Sequence, residues 1–384
     1  MSDNIYLNWG TLAKTWPTVL EASFRHQREY ENNPTVSLFE GWGRLWLLQE
    51  KVAQFFKARP QDFYFRPNVT VAMNDFILGA DLPEGDIVVS DLEYGSIVNI
   101  CKMRASRDNR NLTTLQIPMG GVLQSDEHLV ELIMAQLPQN TSMLLLSHIM
   151  TGNGLKIPLK LLAKKTRDKN IFLVIDGAHG PGATDLNFSE LGDVDFYGGN
   201  LHKWFRGPKG TGFGWAPERN HVFIKPLLGS WTIFETPKPF VPFGDGDRWN
   251  ISMLMSYCLN FGNFYALSEA VDEWQKLGAA DVYRVLQAKR DCIEIEMKKF
   301  FNWNVLSASC TSLQSPLVTF ELPQSFAARG YEIMHELQKT KNVTVSVAPL
   351  KMTYALRLSV HMDTPDGEIS EGVGRLRDYF NFRK

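Results

Sequence analysis

The stretch from 142 to 180 constrains the fold most. It reads "SMLLLSHI" (142–149), then a basic amphipathic stretch, "PLKLLAKKTRDKN" (158–170), then "NIFLVIDGAHG" (170–180). The two short apolar runs predict buried strands, and the stretch between them has helical periodicity. Strand, helix, strand at that rhythm predicts a βαβ unit, hence a mostly parallel sheet with helices on its faces. Ligands of such sheets bind beyond the carboxyl ends of the strands. The polar strand ends are therefore the first candidates: Asp91 after "GDIVVS", His148 and Asp176.

Elsewhere, residues 39–57 have the spacing of an amphipathic helix, and "VTVAMNDFILGA" from 69 reads as a more buried one. The texture changes after about 250. Residues 251–278 read as a long helical region; strand-like runs at 317–323 and 343–350 flank a helix at 329–340. A strand at 355–361 and a closing helix from 367 follow. This α+β texture predicts a second, smaller domain, as 384 residues would allow.

Bulk chemistry removes several functions. Lysine plus arginine number 40 and aspartate plus glutamate 42, a net charge of −2 with no footprint for nucleic acid. The four cysteines (101, 258, 292, 310) form no CxxC pair, which fits a reduced, cytoplasmic protein. The amino terminus does not read as a secretory signal, and no run of eighteen apolar residues predicts a membrane span. No two histidines have the spacing of a helical metal site, so no metal is expected.

The chemistry centres on "YGGNLHKWFRGPKGTGFGW" (197–215). Lys203 follows the strand-like run "DVDFYGG", and Asp176 ends "IFLVID". Neighbouring strand ends would bring the carboxylate and the amine together. Asp176 alone could be a turn former, and Lys203 alone a surface charge or half of a plain ion pair. Yet Lys203 sits among tryptophan, phenylalanine and glycine, and partial desolvation lowers a lysine's pKa and makes its amine a nucleophile. The glycines at 207, 210, 212 and 214 permit unusual dihedrals and close approach of backbone to a ligand.

"VIDGAHGPG" followed by "VDFYGGNLHKWFRGPKGTGFGW" resembles the cofactor core of the class V aminotransferases, fold-type I pyridoxal-phosphate enzymes, most closely their isopenicillin N epimerase-like branch. "YLNWG", "FRPNVTVAMN", "DLEYGSIVNI", "SHIMTGNGLKIP" and "ALRLSVHMDTPDGEI" resemble, in order, the family's substrate-side segment, phosphate turn, ring-stacking segment, next strand end and arginine strand. The resemblance implies an α/β fold with a large, mostly parallel mixed sheet flanked by helices and a smaller α+β domain. The large domain would span 17–250, and the small one would combine 1–16 with 251–384.

The resemblance also implies roles. Lys203 would bind pyridoxal 5'-phosphate as the internal aldimine and shuttle protons at the substrate α-carbon. Asp176 would keep the pyridine nitrogen protonated, making the ring an electron sink. His179 would bond the ring's phenolic oxygen, with Thr151 near it, and Tyr94 would stack on the ring unless it is simply a core tyrosine. "NVT" opens a helix whose free N–H groups and dipole suit a phosphate. Asn68 belongs to that turn; Val69 would give its amide, and Thr70 its amide and hydroxyl unless Thr70 is only the helix cap. Asn200 and His202 would complete the phosphate cup. Arg357 would grip the substrate carboxylate in a bidentate pair, with Asn8 on the substrate side; the plain alternative is an edge-strand arginine reaching solvent.

Two departures matter. The family's Gly-Thr phosphate contact from a partner subunit corresponds here to "FGDGDRWNIS", without threonine, leaving backbone N–H groups near Gly246. No cysteine precedes Arg357 where cysteine desulfurases carry theirs, and Cys310 lies far upstream in an expected core segment. The expectation is a homodimer, with active sites near the interface, acting on an amino acid by β-elimination of a C–S bond or epimerisation. Transamination and a non-catalytic binding protein of the same fold are the alternatives. The aromatic residues Tyr6, Trp9, Trp231 and Phe234 are expected in core or dimer interface rather than a substrate pocket.

Overall fold

Seven strands build the sheet anticipated from the βαβ unit. The computed structural model describes residues 4–229, 248–254, 259–350 and 353–381. After the two-residue strand β1 (Ile5–Tyr6) come β2 (Phe63–Arg66), β3 (Asp86–Ser90), β4 (Leu112–Leu115) and β5 (Thr141–Ser147). Then follow β6 (Phe172–Gly177), β7 (Phe196–Asn200) and β8 (Gly212–Trp215). Their spatial order is β2-β8-β7-β6-β5-β3-β4. β8 runs antiparallel to both neighbours, and the remaining pairs are parallel. The connection 201–211 between β7 and β8 is too short for a parallel crossover, so β8 turns back.

Alternation along the strands covers both faces. In β5, Leu144 and Leu146 enter one hydrophobic cluster and Met143 and Leu145 the other. In β6, Leu173 and Ile175 face the first cluster and Val174 the second. Two helices, α1 (Pro17–Asn32) and α2 (Pro34–Phe55), precede the sheet. α3 (Val69–Gly79), α4 (Gly95–Arg107), α5 (Asp126–Ala135) and α6 (Leu159–Arg167) follow β2, β3, β4 and β5 in turn. α6 buries Leu159, Leu162, Ala163 and Thr166 and carries Lys164, Lys165 and Arg167 in its last turn, where positive charge suits the helix dipole.

The carboxyl-terminal part is a smaller unit. β9 (Val318–Glu321), β11 (Ser346–Leu350) and β12 (Thr353–Leu358) form an antiparallel sheet with β12 in the middle. β10 (Val343–Thr344) instead pairs in parallel with β1, and Asn8 bridges Ser359. The run 343–350, expected as one strand, therefore splits at Val345 because its halves serve different partners.

The long helix expected over 251–278 is divided among Arg248–Leu254, Phe261–Tyr265 and Leu267–Leu277. Asn260 caps the second of these, accepting from the Asn263 N–H at 3.2 Å. α2 begins at Pro34, earlier than the expected 39, because Asn33 accepts from the Val36 N–H and proline occupies the first turn. Among the described residues, no helix is long and apolar enough to cross a membrane. Trp231, Phe234 and Gly246 lie outside the described residues. Trp9 is buried and half-buried Tyr6 packs edge-on to it, so this pair is core as expected.

Candidate active site

The site forms where β6 and β7 end side by side. Asp176 faces Gly198 in the register of this pair and is 2% exposed. Lys203 lies in the turn after β7, which closes when the Arg206 N–H donates to the Lys203 carbonyl at 2.8 Å. Arg206 takes a left-handed φ of 62° to make that turn. Burial pushes the Lys203 amine down to about 8; positive Arg357 adds to the shift and Asp176 opposes it. Burial raises the Asp176 carboxyl, against the Ala178 N–H and Lys203. The Ala178 N–H, at 2.8 Å, holds one carboxylate oxygen.

His179 adjoins the lysine and feels the arginine's charge. Its Nε2 is 3.5 Å from the Lys203 amine and 3.2 Å from the Thr151 hydroxyl, while its Nδ1 receives the Trp204 indole N–H at 3.2 Å. Burial, then Lys203 and Arg357, hold it well below the ordinary histidine range, so it is neutral. Glu93 is also enclosed, with the Ser90 and Ser147 hydroxyls each donating to it at 2.6 Å. Burial and, after the two serines, Asp176 push it up to about 8.

The phosphate turn has a clear division of labour. Asn68, not Thr70, caps α3: its side chain accepts from the Val71 N–H at 3.0 Å. The Val69 N–H, expected to face the phosphate, is taken by the Asn200 side-chain oxygen at 2.9 Å. Thr70 alone of the three therefore keeps both amide and hydroxyl without a partner among the described residues. His202 Nδ1 donates to the Thr211 carbonyl at 2.9 Å. Gly212 is needed for a protein contact, not a ligand: a Cβ there would lie 2.9 Å from the Asn68 Cα. Of the four glycines singled out in the sequence, only Gly210 has a left-handed φ, so the expectation of unusual dihedrals holds at one of them.

Arg357 lies on the central strand of its sheet and is 3% exposed, so it is no edge-strand arginine reaching solvent. Nη1 donates to the Thr151 carbonyl at 3.0 Å and Nη2 to the Thr11 hydroxyl at 2.7 Å; its buried Nε has no acceptor among the described residues. Asn8 meets Arg357 at one remove, accepting from the Thr11 hydroxyl at 2.7 Å. Tyr94 is 54% exposed and so is not a core tyrosine; its phenol bears electrostatically on Arg357.

Two of the three strand ends fall away. Asp91 accepts from the Ile117 N–H, and His148 Nδ1 meets the Tyr197 hydroxyl at 2.9 Å. A cavity of about 640 Å³ bordered by His148, Lys156 and Asp185 contains none of the groups around Lys203. Cys310, expected in the core, is half-buried in a loop beside the Ser312 hydroxyl. Sequence reasoning missed Thr11, Glu93 and Trp204. Each lies within three positions of a residue it did select, and that proximity was the available signal.

The Aminotransferase class-V family matches residues 5–371. The chain belongs to this family. Isopenicillin N epimerase of Amycolatopsis lactamdurans is 27% identical over 345 residues, covering 87% of this chain and 84% of that one. A probable chloroplastic L-cysteine desulfhydrase of Arabidopsis thaliana is 31% identical over 138 residues, 34% of this chain and 28% of that one. Among solved structures, a cystine C–S lyase complexed with its product cysteine persulfide aligns with a TM-score of 0.83 at 22% identity, covering 98% of both chains. A mutant of that lyase, with glycine covalently linked to its pyridoxal-phosphate cofactor, aligns at 0.82 and 20% identity, covering 98% and 97%.

This chain is a pyridoxal-phosphate enzyme. The residues present fit that group: a half-buried lysine whose amine is depressed by desolvation, a buried carboxylate at the neighbouring strand end, and an unclaimed amide and hydroxyl at Thr70.

Proposed function

We propose that the protein acts at the α-carbon of an amino acid, as a C–S lyase by β-elimination or as an epimerase. The observation that carries this reading is the buried, unanswered Nε–H of Arg357, whose guanidinium is tied to Thr151, the residue whose hydroxyl meets His179 Nε2 beside the Lys203 amine. A substrate α-carboxylate answers it, and Thr11 and Thr151 hold the guanidinium in place meanwhile. When bound, pyridoxal phosphate withdraws electrons from the substrate α-carbon and so acidifies its proton.

The remaining chemistry belongs to side chains. Thr70, with Asn200, His202 and the cap residue Asn68 shaping the turn, holds the phosphate end. Asp176 would keep the ring nitrogen protonated, Tyr94 would stack on the ring, and His179 would donate to the phenolic oxygen. Lys203, with an amine near 8, takes the α-proton as a general base at ordinary pH. Returning a proton to the opposite face inverts the centre. Departure of a thiolate from the β-carbon instead ends, after hydrolysis, in pyruvate and ammonia.

A persulfide route through a protein cysteine has little support, since no cysteine precedes Arg357 in its strand-forming segment. Burial pushes Cys101 up to about 12, far from a reactive thiolate. The preference for lyase or epimerase over transamination rests on the relatives. The same reading takes 17–250 as the cofactor domain, 1–16 with 251–384 as the smaller domain, and the working unit as a homodimer with active sites near the interface.

Borohydride reduction followed by peptide mass mapping tests the anchor: the cofactor mass is expected on Lys203 and absent in Lys203→Ala. A panel of amino acids and cysteine conjugates then separates outcomes, with pyruvate release selecting elimination and loss of optical purity without pyruvate selecting epimerisation. Formation of a keto acid that retains the substrate side chain, with neither, refutes both and selects transamination.

A further inference from the structure

We propose that Trp204 is a positioning residue whose indole N–H sets the tautomer of His179, so that Nε2–H points toward Lys203 and the cofactor ring. An indole nitrogen can only donate. Its contact with His179 Nδ1 at 3.2 Å therefore requires a bare lone pair on Nδ1. A neutral imidazole then carries its one proton on Nε2, the atom facing the Thr151 hydroxyl and the Lys203 amine. His179 is thus a donor at its cofactor-facing atom and has no lone pair there to take the α-proton, which leaves that work to Lys203.

The indole itself is held from two sides. Its ring is fully buried and stacks with His361, centroids 6.2 Å apart and planes 28° apart. His361 Nε2 lies 3.1 Å from the Trp204 carbonyl, which can only accept, so this nitrogen carries a hydrogen. His361 in turn is gripped by Trp9 at 5.2 Å and lies edge-on to Trp16 at 5.9 Å. Trp204 is also the residue after Lys203, so one turn of chain delivers the amine and the group that orients its neighbour. The Trp204 backbone is fixed as well: a Cβ on Gly182, whose φ is +84°, would lie 2.5 Å from the Trp204 carbonyl carbon, so the two chain segments are in close contact.

The consequence at the phenolic oxygen rests on the pyridoxal-phosphate reading, but the tautomer does not. The test is two-bond proton–nitrogen NMR of the cofactor-free, full-length protein with ¹⁵N-labelled histidine, the His179 signals being assigned by their loss in His179→Gln. The expected result is one neutral tautomer with hydrogen on Nε2. Trp204→Phe, with its fold checked by circular dichroism, is expected to reduce that preference about two- to tenfold, the worth of one neutral hydrogen bond. Hydrogen on Nδ1 or on both nitrogens in the unsubstituted protein overturns the proposal even if the variant does not fold. So does an unchanged tautomer ratio in folded Trp204→Phe. Failure of borohydride to label Lys203 would instead refute the cofactor reading and leave the tautomer result standing.

Discussion

Replacing Arg357 with leucine separates its two expected effects. The guanidinium is held at Nη1 by the Thr151 carbonyl and at Nη2 by the Thr11 hydroxyl, with Nε–H left for the substrate. Losing one partner of a buried, charge-assisted carboxylate pair costs about 2–5 kcal/mol. At about 1.4 kcal/mol per tenfold, that is roughly 30-fold to several thousand-fold in affinity. An amine that lacks a carboxylate loses nothing by the substitution. The assay is therefore a ratio: apparent affinities of L-alanine and ethylamine for the holoenzyme, read from the change in cofactor absorbance. Arg357→Leu is expected to compress the alanine-to-ethylamine preference by that factor. It also removes a positive charge that depresses the lysine, so the Lys203 midpoint is expected to rise from about 8. An unchanged ratio with a raised Lys203 midpoint would refute carboxylate binding and leave Arg357 a purely electrostatic neighbour.

Other outcomes are equally specific. Lys203 titrates near 8 in the fold and near 10.5 when unfolded, so the folded state holds fewer protons between those values and its contribution to stability rises with pH across that window. Cofactor uptake by the cofactor-free protein should accelerate with a midpoint near 8, and a rate flat from pH 7 to 9 would contradict the assignment. Arg66 and Asp75 form an ion pair at 2.6 Å, 1% and 3% exposed, that ties β2 to α3. Arg66→Met should cost about 3–5 kcal/mol in denaturant unfolding, with Arg66→Met/Asp75→Leu recovering much of it; a loss below 1 kcal/mol would count against the pair. Gly212→Ala should loosen the phosphate turn against Asn68 and raise the dissociation constant for pyridoxal phosphate, measured by fluorescence titration. Gly180→Ala places a Cβ 1.8 Å from the Tyr197 hydroxyl, an overpacking expected to cost about 1–3 kcal/mol and visible as a lowered melting temperature.

The sheet was legible because buried parallel strands are short apolar runs bounded by helical periodicity, as 142–180 shows. β2 and β4 were not, since four residues each of mixed polarity carry too little pattern. The site was legible as residues but not as a division of labour. Sequence could place Asn68, Val69 and Thr70 at a helix start; it could not tell that Asn200, far along the chain, claims the Val69 amide. Thr11 and Trp204 act through long-range contacts, one on a strand more than three hundred residues away and one on a histidine 25 residues back in the chain. Spacing within a motif is silent about such partners.

Residues 4–16 run along the molecule as a strap. They add β1 to β10, bridge Ser359 through Asn8, offer Thr11 to Arg357, and take Lys209 and Arg206 onto the carbonyls of Ala13 and Lys14. During synthesis these residues emerge well before their partners on β10 and β12. The turn that bears Lys203 can therefore assemble from strands already present, whereas the guanidinium of Arg357 acquires its orientation only after a separation of 346 residues has been closed. Closing that loop adds a cost that grows only slowly with its length. The slow step is the search, and the competence to bind a carboxylate should appear later in refolding than the competence to bind the cofactor.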